Sequence, residues 1–102
     1  MQGEFDRIYQ APDGTIRIVE AKGGSSPLSG RKTPEGYAQQ GTVQYYESIL
    51  SAMDNSGKIE LENLANTIRI AKQNGKLEYW LIRQDFDNAG NLKDIYANKF
   101  PI

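Results

Sequence analysis

The sequence predicts an α/β (α+β) fold with one mixed sheet of about four strands and two helices. Two β-type segments come first, two segments with helical periodicity follow, and two β-type segments close the chain, which gives the order ββααββ. A chain of 102 residues has the length of one domain, and its 38% hydrophobic residues, ten aromatic side chains among them, suffice for one core. A single sheet with helices packed on it is the simplest architecture for this order.

The first two strands are predicted at residues 3–10 and 15–22, joined as a hairpin. The second segment is rich in β-branched residues, and the turn between them reads Ala-Pro-Asp-Gly. Pro12 suits the first position of a type I turn, and Gly14 suits the left-handed position of a three-residue loop. This turn places Ile8 opposite Ile18. By extension it places Asp6 opposite Glu20 on the same face of the ribbon.

The remaining elements are predicted from periodicity and turn residues. Residues 23–36 contain four glycines and two prolines and are predicted to form a mildly basic loop. Helices are predicted at residues 38–53 and 59–73, since their apolar residues recur at spacings of three and four. Only one of Tyr45 and Tyr46 is expected to face the core. Strands are predicted at residues 77–83 and 92–99, with a turn at 85–91 and with Tyr79 and Trp80 filling core and surface positions.

The composition excludes several classes of chemistry. Without cysteine or histidine the chain has no disulfide, no thiolate zinc site and no imidazole acid or base. Hydrolytic chemistry must use carboxylates, lysine, tyrosine or a metal bound through oxygen. The formal net charge of -1 does not indicate a nucleic-acid partner. The apolar runs are too short to predict a membrane span or a signal peptide.

The predicted hairpin creates a pair of opposed carboxylates. Cβ atoms of directly opposite residues lie about 5 Å apart, and two unit charges at that distance repel by about 3 kcal/mol at an effective dielectric of about 20. A proton on one carboxyl group, the neighbouring Lys22, or a divalent cation can relieve this repulsion. The ordinary alternative is a solvated surface hairpin in which Glu4 and Lys22 form a cross-strand ion pair.

These residues also resemble a known signature. Asp6, followed by Glu20-Ala21-Lys22 at the end of the next strand, resembles the active-site motif of the PD-(D/E)xK nuclease superfamily. The string GEFDRIYQAPDGTIRIVEAKGG, then Gly30-Arg31, then Gln40-Gly41-Thr42 before a Tyr-Tyr pair, resembles toxin domains with a restriction-endonuclease fold. Such domains occur at the C-termini of bacterial polymorphic toxins, including contact-dependent growth-inhibition effectors. The resemblance covers about residues 3–50.

The resemblance implies a fold and a set of site residues. It implies a restriction-endonuclease-like core and a single C-terminal toxin nuclease domain, residues 1–102, excised from a longer effector. It implies that Asp6 and Glu20 bind a divalent metal (Mg²⁺, or Mn²⁺ or Zn²⁺). It further implies that Lys22 positions or activates the attacking water and that Gln40 joins the site. The implied substrate-binding residues are Arg31, Lys32 and Thr42.

The resemblance also implies an activity and partners. The expected function is a metal-dependent endonuclease toxin that hydrolyses phosphodiester bonds in competing bacteria. Its substrate is DNA, or tRNA with elongation factor Tu as a helper, and a cognate immunity protein neutralises it. The effector domain is secreted or displayed at the cell surface and delivered to the cytoplasm of target bacteria.

Two other functions remain open from the residues alone. A non-catalytic protein-interaction module predicts no metal-dependent cleavage and no stabilisation by divalent metals. A metal-independent ribonuclease built on lysine, tyrosine and glutamate predicts activity that persists in EDTA.

Overall fold

The computed structural model describes residues 5–24 and 27–102. Within them lie a four-stranded mixed sheet, a two-stranded sheet and two helices. The elements in chain order are β1 (Arg7–Gln10), β2 (Ile16–Gly23), β3 (Gly30–Thr33), β4 (Gly36–Gln39), α1 (Val43–Asp54), α2 (Ile59–Gln73), β5 (Leu77–Phe86) and β6 (Leu92–Phe100). The mixed four-stranded sheet and the two helices confirm the predicted α+β class.

The main sheet has the strand order β1-β2-β5-β6. β2 and β5 are parallel, and the two outer pairs are antiparallel. Parallel neighbours need a long crossover, and here the chain between β2 and β5 carries both helices and the small β3-β4 sheet. The parallel pair places the C-terminal ends of the two central strands side by side.

The first hairpin forms as predicted. Ile8 pairs with Ile18, and the antiparallel register runs from Arg7 opposite Val19 to Gln10 opposite Ile16. The Asp13 side chain closes the turn by accepting a hydrogen bond from the Thr15 backbone N–H at 2.9 Å. The predicted partner of Lys22, Glu4, lies outside the described residues.

The predicted loop at residues 23–36 is wrong in its second half. β3 and β4 form a tight hairpin there, so the element order is ββββααββ rather than ββααββ. Gly36, at φ +116°, follows the turn, and the Thr33 hydroxyl donates to the Gly36 carbonyl at 2.6 Å. The glycines and prolines therefore lie at the turn and the ends of a short hairpin. Composition alone does not predict that these strands pair.

Helix α1 begins at Val43, later than predicted, because residues 36–39 belong to β4. Gly41 follows with φ +88°, which interrupts helical geometry, and Thr42 caps the helix. A Cβ on Gly41 would collide with the Phe100 ring, so the close packing of this turn requires glycine. The start of α1 is thus set by the turn that follows β4.

Both helices pack on one face of the main sheet. Along β2, buried Ile16, Ile18 and Glu20 alternate with the more exposed Arg17 and Val19. The core combines this face with the apolar stripes of the two helices. Its buried members are Phe5, Ile16, Ile18, Ala38, Tyr45, Tyr46, Ile49, Leu50, Met53, Ala65, Ile68, Ala71 and Tyr79. Among the described residues, no helix is long and apolar enough to cross a membrane.

The expectation that either Tyr45 or Tyr46 would be exposed is wrong. Tyr46 stacks on Phe5, with ring centroids 6.2 Å apart, and Lys72 lies over its ring. Tyr45 is also buried. The charges of Glu20 and Asp6 contribute to raising the pKa of Tyr45, after burial itself, so its hydroxyl lies near a polar cluster. Both rings are therefore buried, Tyr46 against Phe5 and Tyr45 with its hydroxyl near the polar cluster.

Candidate active site

Asp6 and Glu20 meet where β1 and β2 lie side by side. Asp6 immediately precedes β1, and its Oδ2 accepts a hydrogen bond from the Ala21 backbone N–H at 3.0 Å. Glu20 lies on the helix-covered face of β2 and is 0% exposed. The hairpin turn therefore brings an exposed carboxylate against a fully buried one, as the register predicted.

Glu20 is strongly perturbed by this environment. Burial is the largest cause that raises its pKa to about 7, and the neighbouring Asp6 carboxylate adds charge repulsion and a hydrogen bond to the protonated form. Hydrogen bonds from Tyr79 and Gln40 act in the opposite direction. Glu20 therefore changes its protonation state close to neutral pH.

Two donors hold the Glu20 carboxylate in place, one on each oxygen. Gln40 Nε2 donates to Glu20 Oε2 at 2.5 Å. The Tyr79 hydroxyl donates to Oε1 at 3.3 Å and itself accepts from the Gly41 backbone N–H at 3.3 Å. These bonds connect β2 to β5 and to the turn before α1, so the carboxylate has one defined orientation.

Ser29 joins Lys22 to this network. The Ser29 backbone N–H donates to Gln40 Oε1 at 2.9 Å, which leaves the Gln40 amide NH₂ to face Glu20. Lys22 Nζ donates to the Ser29 hydroxyl at 3.3 Å. Lys22 follows Glu20 by two residues on the same strand and therefore shares its face. A continuous chain of contacts thus runs from the lysine to the buried carboxylate.

The four predicted catalytic residues, Asp6, Glu20, Lys22 and Gln40, belong to this one cluster. The predicted substrate-binding residues have other contacts. Arg31 Nη1 donates to the Ser48 carbonyl at 3.3 Å and ties β3 to α1. Thr42 accepts from the Tyr45 backbone N–H at 3.1 Å as the helix cap, and Lys32 is exposed on β3. Arg31 also has an electrostatic effect on the hydroxyl of Tyr45, which belongs to the cluster through the charges of Glu20 and Asp6 that act on it.

Sequence reasoning missed three members of the cluster. The sequence predicts that Tyr79 fills a core or surface position, that Ser29 lies in a loop, and that only one of Tyr45 and Tyr46 faces the core. Tyr79 reaches Glu20 because β5 lies parallel to β2, and no local pattern gives that register. The hydroxyl group of Tyr79 is the signal that could have indicated its role, since a buried tyrosine hydroxyl usually has a hydrogen-bond partner.

The donor set suits a hard divalent cation. Mg²⁺ and Mn²⁺ prefer oxygen ligands, and Mg²⁺ is commonly bound through one or two carboxylates together with water and substrate phosphates. Each Glu20 oxygen accepts one hydrogen bond, from Gln40 or from Tyr79, and has two lone pairs, so an acceptor position remains on each. Within residues 5–24 and 27–102, no group of three acidic, histidine or cysteine side chains gathers as a ready-made site.

Comparison with known protein families, with curated proteins and with solved structures finds no match for this chain.

Proposed function

We propose that this chain is a metal-dependent endonuclease of the PD-(D/E)xK type, with a restriction-endonuclease-like core. The observation that carries the proposal is the convergence of Asp6, Glu20, Lys22 and Gln40 in one bonded cluster. Two carboxylates, a lysine and a polar side chain provide the groups needed to hydrolyse a phosphodiester without imidazole.

Each residue has a defined task in this proposal. A divalent cation held by Asp6 and Glu20 supplies Lewis-acid chemistry at the phosphate when it is bound. Gln40 and Tyr79 keep the Glu20 carboxylate oriented toward Asp6. The Lys22 ammonium, at the end of β2, offers positive charge to the phosphoryl oxygens and a donor that orients water.

The crowding of the two carboxylates supports a cation at this place. Burial and, after it, the Asp6 charge raise the pKa of Glu20, so a negative charge on Glu20 beside Asp6 is unfavourable in the metal-free protein. A bound cation offsets that repulsion directly. The ordinary alternative, a solvated surface hairpin, does not fit Glu20, which is buried and bonded to two side chains.

The proposed biological setting is that of a toxin. The domain acts on DNA or tRNA in the cytoplasm of a competing bacterium, after delivery as part of a secreted or surface-displayed effector. A cognate immunity protein blocks it in the producing cell. Because the chain carries a formal net charge of -1, it has little overall attraction to nucleic acid, which favours a helper protein such as elongation factor Tu.

Cleavage of supercoiled plasmid and of total tRNA, with Mg²⁺ or Mn²⁺ and with EDTA, tests the reaction. Asp6→Asn and Lys22→Ala are each expected to lower the cleavage rate by about 100-fold or more. Lys58→Ala is the matched control, since Lys58 precedes α2 and takes no part in the cluster. Circular dichroism checks that every variant is folded.

The alternatives predict different results. Activity that persists in EDTA supports a metal-independent ribonuclease, and unchanged cleavage by Asp6→Asn and Lys22→Ala contradicts the site. Thermal unfolding with Mn²⁺ gives a second readout that needs no substrate. Mn²⁺ is expected to raise the melting temperature of the parent and to leave that of Asp6→Asn nearly unchanged. The absence of both cleavage and a Mn²⁺ shift supports a non-catalytic interaction module.

A further inference from the structure

The face of the main sheet that points away from the helices forms a distinct surface, here called the open face. Its members are the strand positions that alternate with the buried ones, and they include Arg7, Tyr9, Arg17, Glu78, Trp80 and Lys99. The strand registers place Arg7 beside Val19, Val19 beside Trp80, and Trp80 beside Lys99. One row of side chains thus crosses all four strands with Trp80 near its middle.

Trp80 is held in a fixed orientation on this face. Its indole Nε1 donates to Glu78 Oε1 at 3.0 Å, and Arg17 Nε donates to the same oxygen at 2.9 Å. Trp80 also lines a shallow depression of about 280 Å³, together with Arg17, Val19, Ile82 and Ala97. A rigid indole beside a small apolar depression is suited to stacking against a flat ring.

The charges on the open face favour an anionic ligand. The described positions of this face carry three cations, Arg7, Arg17 and Lys99, against one carboxylate, although the whole chain has a formal net charge of -1. That carboxylate, Glu78, forms ion pairs with both Arg17 and Lys99, so the face keeps a positive excess. The Arg17 and Lys99 side chains are 48% and 54% exposed. Arg7 and Lys99 lie on the two edge strands, so positive charge borders the central Trp80 on both sides.

A second aromatic side chain extends this platform. Tyr9 is 53% exposed and pairs in register with Arg17, one row away from Trp80. Trp80 itself is half-buried. Aromatic rings that reach the surface of a sheet beside arginine and lysine form the arrangement by which proteins stack unpaired bases and contact the phosphates between them. Duplex DNA does not offer such bases, because they are stacked within the helix.

We propose that the open face binds an unpaired segment of RNA, with one base stacked on Trp80 and the backbone phosphates on Arg7, Arg17 and Lys99. RNA is preferred to single-stranded DNA because Glu78 Oε2, which lies 3.9 Å from Lys99 Nζ, keeps an acceptor position for a ribose 2′-hydroxyl, a donor that DNA lacks, whereas Glu78 Oε1 already accepts from Arg17 and Trp80. This inference rests on the proposed nuclease function and specifies its substrate class as RNA with an exposed loop or single strand.

Binding of a fluorescently labelled oligouridylate, measured by anisotropy in EDTA at low salt, tests the inference without cleavage. Trp80 is the single tryptophan of the chain, so its emission reports directly on stacking. Oligouridylate is expected to quench this emission in the unmodified protein. Trp80→Ala is expected to weaken binding about tenfold, and Trp80→Phe, which keeps an aromatic ring, to weaken it less.

The cations are tested through the salt dependence of the same binding. Lys99→Gln and Arg7→Gln are each expected to reduce the slope of log affinity against log salt by about 0.7, because each removes one phosphate contact. Trp80→Ala should leave that slope nearly unchanged. Lys58→Gln, which removes a cation from the N-terminal end of α2, is the matched control and should preserve both affinity and slope.

Several outcomes overturn the inference. They are unquenched Trp80 emission at saturating oligouridylate, equal or tighter binding of oligothymidylate, or equal affinity in Trp80→Ala.

A concentration-dependent dimer that Trp80→Ala disrupts, seen by sedimentation, assigns the face to a second copy instead. Metal-dependent RNA cleavage that is indifferent to Trp80→Ala contradicts this inference but leaves the nuclease proposal intact. Trp80-dependent binding without cleavage contradicts the nuclease proposal alone.

Discussion

The two faces of the main sheet are formed by the same strands, but one face is buried under the helices and the other is exposed to solvent. On the helix-covered face, Ile18 and Tyr79 are fully buried, and the buried carboxylate of Glu20 has a partner for each oxygen. On the open face, Arg17 and Glu78 form an ion pair whose side chains remain in contact with water. Burial makes the charge on the covered face costly and strongly coupled, whereas solvent keeps the charges on the open face weakly coupled.

In the proposed function, the covered face carries the chemistry and the open face carries the recognition. A carboxylate whose pKa lies near neutrality requires exclusion of water, and the two helices supply it. A surface that meets a large, flexible polyanion needs accessible cations instead. Paired substitutions that make the same chemical change on each face measure how far this separation holds.

The largest expected effect comes from shortening the same residue type on each face. Ile18 on β2 is fully buried under the helices, whereas Ile82 on the neighbouring β5 lies half-buried on the open face. Ile18→Ala is expected to lower the free energy of unfolding by about 2–5 kcal/mol, because it leaves a cavity in the core. Ile82→Ala should cost about 1 kcal/mol, since its side chain is already partly hydrated. Urea denaturation monitored by circular dichroism measures both values.

Each strand is central in the sheet, so the backbone context of the two positions is closely matched. Equal losses of stability at the two positions would contradict the contrast between the faces. That result would mean that Ile82 is covered in solution, and the size of its loss would then depend on protein concentration.

The sequence predicted the pairing of carboxylates on the covered face better than it predicted the strands and contacts of the whole structure. The Pro-Asp-Gly turn predicted the β1-β2 register, and with it the approach of Asp6 to Glu20, because a short hairpin loop fixes which residues pair. The sequence did not predict the β3-β4 hairpin, because its four-residue strands lack a clear alternating pattern. Tyr79 and Ser29 also escaped prediction, because their approach to Glu20 depends on contacts distant in sequence.

The open face shows the same limit. Alternation along β5 predicts that Tyr79 and Trp80 point to opposite sides, but it does not say which side the helices cover. The parallel β2-β5 register, which places Trp80 beside Val19, arises from the long crossover and not from a local turn. The aromatic and cationic row is therefore a property of the tertiary structure.

The second expected effect is a loss of stability with rising pH that originates in Glu20. Its pKa rises from 4.5 to about 7 on folding, so its favourable contribution is complete below about pH 4.5 and is lost as the pH rises through about 7. A shift of this size corresponds to about 3 kcal/mol of unfolding free energy for a buried group. The groups that face it are Asp6, Tyr79, Tyr45 and, two residues along β2, Lys22.

Urea denaturation in EDTA across this pH range, for the parent and for Glu20→Gln, measures the effect. The glutamine keeps the shape of the side chain but does not titrate, so the parent should lose about 3 kcal/mol more than the variant between about pH 4.5 and pH 8. Parallel pH profiles for the two proteins would contradict the assignment of this titration to Glu20.

The smallest expected effect concerns stability at the open face, where Arg17 pairs with Glu78 at 2.9 Å. Arg17→Gln is expected to lower the free energy of unfolding by less than about 1 kcal/mol, because exposed ion pairs contribute little. Glu78 keeps its hydrogen bond from Trp80 in that variant.

The same Arg17→Gln substitution should weaken oligouridylate binding several-fold through the lost phosphate contact. Urea denaturation and anisotropy, performed on one preparation, separate the two effects. A large loss of stability with unchanged RNA affinity would assign Arg17 a structural role, and the open face would then differ less from the covered one than its exposure indicates.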